Sequence, residues 1–94
     1  MKKWQKKAIK EIMEEFDFGK VHITMEALGW TWGDSKKPPS IDELREEAES
    51  MLTRTVEGNN GYSDSGGFVV YHYTEEKYLR LVFLVESWEV GNYI

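Results

Sequence analysis

The chain contains no cysteine. That excludes a disulfide framework, a thiolate metal site and a cysteine nucleophile, and it suits the reducing cytoplasm expected as its compartment. Histidine is almost as scarce: His22 and His72 are the only two, and neither falls in a recognised catalytic or metal-ligating motif. No apolar run approaches the roughly 18 residues that would cross a membrane, so no membrane partner is expected. Met1 is followed by Lys2 and Lys3 but by no apolar segment of the kind a signal peptide requires. Proline occurs twice, as the adjacent pair Pro38–Pro39, which confines the strongest break to one place. Basic residues are sparse beyond the first ten positions. Five of the 12 lie there with no acid among them, leaving seven against 17 acidic residues, a balance of −10. Such an acidic body argues against direct nucleic-acid binding, which depends on neutralising phosphates. It suits a partner with a basic groove, including a nucleic-acid-binding protein, although acidic residues ordinarily just keep a small protein in solution.

What is present is apolar and aromatic. Of 94 residues, 40% are hydrophobic and 14% aromatic, enough for one packed domain over 1–94 and too few for a second core. The chain is organised around Asp17–Trp32. Phe18, Val21, Met25 and Leu28 recur at steps of three and four, which predicts a helix over 18–28 with Asp17 as its N-cap. Gly29 sits where such a helix stops. Trp30 and Trp32 follow at once and must find a core or a partner. His22 is four residues before Glu26, so the two meet on the helix surface. This pair offers an acid and a base or half a metal site, but a half-buried histidine held by its neighbour is the ordinary outcome.

Residues 3–16, within a basic N-terminal part spanning 1–16, form a first predicted helix. Its stripe is Trp4, Ala8, Ile9, Ile12, Met13 and Phe16. Lys2, Lys3, Lys6 and Lys7 sit at the positive end of the helix dipole, and Glu14 and Glu15 at the negative end. Each exposed misplacement is unfavourable by about 0.3–1 kcal/mol. Pairing of Lys7 with Glu11 and of Lys10 with Glu14 returns only about 0.2–0.5 kcal/mol each. Either packing holds this helix or its basic end is a contact arm.

Residues 33–39 read as a linker that closes on Pro38–Pro39. Ser40 with Glu43 is a capping box opening a helix to residue 57, where the helical part 17–57 ends. Its expected buried stripe is Ile41, Leu44, Ala48, Met51, Leu52 and Thr55, and its outer face, crowded with Asp42, Glu43, Glu46 and Glu47, is acidic. Gly58–Gly67 reads as a flexible loop with an Asn60–Gly61 turn, lacking the spacing of a phosphate-binding loop. Tyr62 stands at its centre as a candidate contact residue.

The part 67–90 predicts a β-hairpin, Phe68–Tyr73 and Tyr78–Trp88, turning over residues 74–77 with Tyr73 opposite Tyr78. One face then carries Phe68, Val70, His72, Leu79, Leu81, Phe83 and Val85, a core face. The other carries Val69, Tyr71, Tyr73, Tyr78, Arg80, Val82, Leu84 and Glu86. This second face is too aromatic for plain solvent, and tyrosine and arginine are enriched in binding hot spots. The first helix or the Trp30–Trp32 segment could cover it, as could a second copy through the hairpin or a foreign protein. Residues 89–94 show no decisive pattern. The expected fold is α+β, with two or three helices packed on a C-terminal antiparallel hairpin and room for a short extra strand near Gly29–Gly33.

The order of four pieces carries a resemblance: FDFGKVHITMEALGWTW at 16–32, PSIDELREEAESML at 39–52, GGF at 66–68 and LRLVFLVESWEV at 79–90. Over residues 16–90 the chain resembles small uncharacterised accessory proteins of bacteriophages and prophages. The resemblance implies action in the host cytoplasm by binding a host or phage protein, including inhibition of host defence systems such as CRISPR, and brings no catalytic residues or cofactor with it. The expectation is a non-enzymatic protein that binds a partner through the outer hairpin face with Tyr71, Tyr73, Tyr78 and Arg80, through the acidic helix face over 42–49, or through both. The alternative is a nucleic-acid or nucleotide binder stacking bases on Trp30, Trp32 and Tyr62, with Lys36, Lys37 and the N-terminal lysines on phosphates.

Overall fold

A computed structural model describes residues 1–31, 36–58, 62–65, 67–73, 78–85 and 88–93. Three helices come first: α1 (Lys3–Glu15), α2 (Phe18–Leu28) and α3 (Ile41–Glu57). Four strands follow: β1 (Tyr62–Ser65), β2 (Phe68–Tyr73), β3 (Tyr78–Val85) and β4 (Trp88–Tyr93). They form one sheet in the order β1-β2-β3-β4 with every neighbouring pair antiparallel, so the fold is α+β. The hairpin has the register expected, Tyr73 opposite Tyr78 and Phe68 opposite Phe83. It is the centre of a wider sheet, however. Tyr62–Ser65, expected as loop, pairs with β2, and the strand expected to run to Trp88 ends at Val85, with Trp88 opening β4. Two strands alone bury too little to be stable, and the flanking strands supply the missing width. Gly29–Thr31 is not strand. The rest of that proposed strand, the Asn60–Gly61 and 74–77 turns and the linker positions 33–35 lie outside the described residues.

The helix ends follow from their sequence. Asp17 Oδ1 accepts the Lys20 N–H at 2.9 Å, and Ser40 and Glu43 exchange the two bonds of a capping box at 3.2 Å each. Gly29, at φ 65°, ends α2 in a Schellman turn: its N–H reaches the Glu26 carbonyl and that of Trp30 reaches Met25. This turn delivers Trp30 to the core, where its ring meets Phe83 edge-on at 5.6 Å.

The core lies between the helices and one face of the sheet. Ala8, Ile9, Ile12 and Phe16 from the first helical segment, Phe18, Val21 and Met25 from α2, and Leu44, Ala48, Met51, Leu52 and Val56 from α3 form one buried cluster. They do so with Phe68, Val70, Leu79, Leu81 and Phe83 of the sheet. Phe68 joins Phe16, Phe18 and Phe83 at ring separations of 4.8–6.3 Å. Gly67 makes this packing possible. At φ 91° it adopts a conformation other residues resist, and a Cβ there would stand 2.8 Å from the Phe83 ring. Two stripe residues are not buried as expected. Leu28 is 49% and Ile41 38% exposed. Each is the terminal residue of its helix, where the stripe runs past the elements it packs on.

Candidate functional site

Strand alternation sends Val69, Tyr71, Arg80, Val82 and Leu84 to the sheet face opposite the helical core. Val69 and Val82 are cross-strand partners and both are buried, yet neither belongs to the cluster that the helices share with the sheet. They floor a separate apolar spot. Beside it Tyr71 and Arg80 are half-buried, and Leu84 is 38% exposed.

Tyr71 and Arg80 are direct cross-strand partners, and the Arg80 guanidinium carbon lies 5.8 Å from the Tyr71 ring centroid. That is cation–π range. Glu89 of β4, the partner of Leu84 and so two same-face rows along, brings a carboxylate oxygen to 3.7 Å from the same guanidinium. Arg80 is thus flanked by an aromatic ring and a carboxylate, and its Nε is buried. Gly91 makes the arrangement possible from β4. It pairs with Val82, and a Cβ on it would stand 2.9 Å from both the Leu81 carbonyl and a Val82 methyl and 3.5 Å from Arg80 Nε.

Backbone register extends the row. Tyr62 pairs with Tyr71, Tyr71 with Arg80 and Arg80 with Tyr93, while Tyr73 pairs with Tyr78 in a neighbouring row. The sheet thus brings Tyr62, taken from the sequence as a loop residue, into the row of Tyr71 and Arg80. Tyr93 joins it from a tail that showed no pattern. Trp32 and the side chains of Tyr62, Tyr73 and Tyr78 lie outside the described residues.

Trp30 goes elsewhere. It packs on the core through Phe83, and α1 likewise packs its Ala8, Ile9 and Ile12 into the helix–sheet core. These contacts of α1 and Trp30 lie on the core side of the sheet.

The histidines have structural surroundings. His22 Nδ1 lies 2.8 Å from the Pro39 carbonyl and its Nε2 contacts Glu26, so the ring ties α2 to the segment leading into α3. His72 is buried on the inner face beside Trp4. Its Nε2 is 3.3 Å from the Gln5 side-chain nitrogen, while Gln5 Oε1 accepts the Lys2 N–H at 2.9 Å. The Gln5 oxygen is committed to Lys2, so its side-chain nitrogen is the group that faces His72 Nε2. Sequence reasoning missed Gln5, which is 4% exposed; no signal marks a glutamine among lysines as buried. Among the described residues, no group of three or more His, Asp or Glu is placed to hold a metal ion. No described helix is long and apolar enough to cross a membrane.

Compared with protein-family models, with curated proteins and with solved structures, the chain matches none.

Proposed function

We propose that this protein is a non-enzymatic binding module that engages a protein partner through the outer face of its sheet. One observation carries the reading. Tyr71, Arg80 and Leu84 surround the buried Val69–Val82 pair on the side opposite the helical core, outside the cluster that holds the fold together. Aromatic and arginine side chains around an apolar floor match the composition of interface hot spots. The Glu89 contact prepares Arg80 for burial, because a guanidinium already paired and stacked loses less on desolvation than a free one. The resemblance of residues 16–90 to phage accessory proteins adds a target class, host machinery including defence systems, and rests on the order of sequence pieces alone.

Affinity capture of the tagged protein from bacterial lysate, with and without nuclease, tests the reading when run beside a Tyr71→Ser/Leu84→Ser double variant. A near-stoichiometric, nuclease-resistant protein lost by the variant, while circular dichroism and Tm stay near wild type, is the expected result. Full capture by a folded variant would move the site off this face. Recovery of the bait alone would remove the binding-module reading for that lysate.

A further inference from the structure

The lysines of α1 form a single exposed surface whose placement runs against the stability of their own helix. At 100° per residue, Lys3, Lys6, Lys7 and Lys10 fall within one 100° arc, and all four are exposed. Lys7 approaches Glu11 only at 3.9 Å, and Lys3, Lys6 and Lys10 form no ion pair with any described residue. The expected Lys10–Glu14 pair is absent among them. No acidic residue occupies the first turn of α1 and no basic one the last. Lys3, Lys6 and Lys7 lie toward the positive end of the helix, a penalty that the long Lys7–Glu11 contact relieves only in part.

We propose that this stripe is a contact for the phosphate backbone of a nucleic acid, independent of the outer sheet face. Lys3 to Lys10 spans about 10 Å of helix, over which one strand of a DNA duplex places about three phosphates. An anionic membrane is the poorer match. A helix lying in a bilayer interface inserts its apolar face, and here Ala8, Ile9 and Ile12 are committed to the core. Trp4 is likewise half-buried beside His72. The acidic remainder of the chain, at −10, repels phosphate and so would orient the molecule with this end alone against the strand. Such a contact is weak by itself. It fits a protein that meets a nucleic acid already held by its protein partner.

The test is fluorescence anisotropy with a mixed-sequence DNA duplex at about 20 mM salt, extended upward in salt. Binding should fall with a log–log salt slope of about −2 to −3, the value for roughly three released counterions. Replacing Lys3, Lys6, Lys7 and Lys10 together with glutamine should weaken binding more than tenfold and flatten the slope. The matching arginine variant should retain it. Because the glutamine variant removes unfavourable charge from the helix end, its Tm should equal or exceed wild type, so lost binding cannot be lost folding. Absence of saturable binding at low salt, or glutamine-variant affinity within twofold of wild type, would overturn the proposal. Binding to phosphatidylserine-containing vesicles without binding to the duplex would overturn it too.

Discussion

Helices α1 and α3 pack against each other and share one core, yet their ends are built by opposite rules. In α3, Ser40 and Glu43 close a capping box, Asp42 and Glu43 occupy the first turn and Arg54 the last. These charges agree with the dipole, and Glu57 at the last position is the exception. In α1, Lys2 holds the N-cap position with no side-chain cap, since an ammonium has no acceptor to offer. Gln5 supplies half of a box by accepting the Lys2 N–H, and Glu14 and Glu15 face the negative end. The difference teaches what each helix relies on: α3 is supported locally and by its core, α1 chiefly by its core.

The largest effect should come from removing that core support. Ile12 of α1 is fully buried, and Ile12→Ala should destabilise the protein by about 2–5 kcal/mol in urea unfolding. Leu52→Ala in α3 removes a comparable group and should fall in the same range. The two differ in where the damage goes. Native-state hydrogen exchange should show α1 amides opening ahead of global unfolding in the Ile12 variant, and α3 amides still opening with the whole molecule in the Leu52 variant. Equal behaviour of the two helices would break the comparison.

Next in size is Gln5, which stands in for the missing acidic cap and also bonds His72 across the core. Gln5→Leu removes the Gln5 contact to buried His72 and the side-chain acceptor of the Lys2 N–H. A loss of about 1–3 kcal/mol is expected, read as a shift in urea midpoint at unchanged slope. A change below a few tenths would mean that the α1 terminus does not depend on this side chain. In α3 the Glu43 carboxylate holds the equivalent place and the Ser40 hydroxyl adds the reciprocal bond that α1 lacks, so Ser40→Ala should take away about 1 kcal/mol by the same measurement.

These residues also mark how far the sequence could be read. The capping box, the Asp17 cap, the Gly29 stop and the hairpin register were legible because each is set by neighbours within a few positions. So was the inner face of the sheet, where alternation alone separates Phe68, Val70 and His72 from Val69 and Tyr71. Strands β1 and β4 were not. YSDS and WEVGNY carry serine, aspartate, glycine and asparagine, and their extended state is supplied by pairing with β2 and β3 rather than by propensity. As a result Tyr62 and Tyr93 could not be placed in the Tyr71–Arg80 row beforehand. Gln5 was hidden for a related reason, because its partner is 67 residues away. Gly67 read as one of several loop glycines, and only the Phe83 ring beside it explains why it must be glycine.

The smallest effect is also the one that separates stability from function. Lys3 is the first residue of α1, where a negative side chain would meet the free N–H groups. Lys3→Glu should therefore stabilise the protein by about 0.3–1 kcal/mol, with much of the gain lost in high salt as the charges are screened. In α3, Glu43→Lys should act in the opposite direction and by more, because it removes a capping bond as well as a favourable charge. A helix that can be stabilised by a single exchange at its first residue, yet carries lysine there and at the next three exposed positions of the same arc, is not arranged for its own stability. If Lys3→Glu raises Tm while weakening the duplex contact, the charge order of α1 is explained by what it touches. If it lowers Tm, the lysines have a role within the fold, and the contrast between the two helices is one of packing alone.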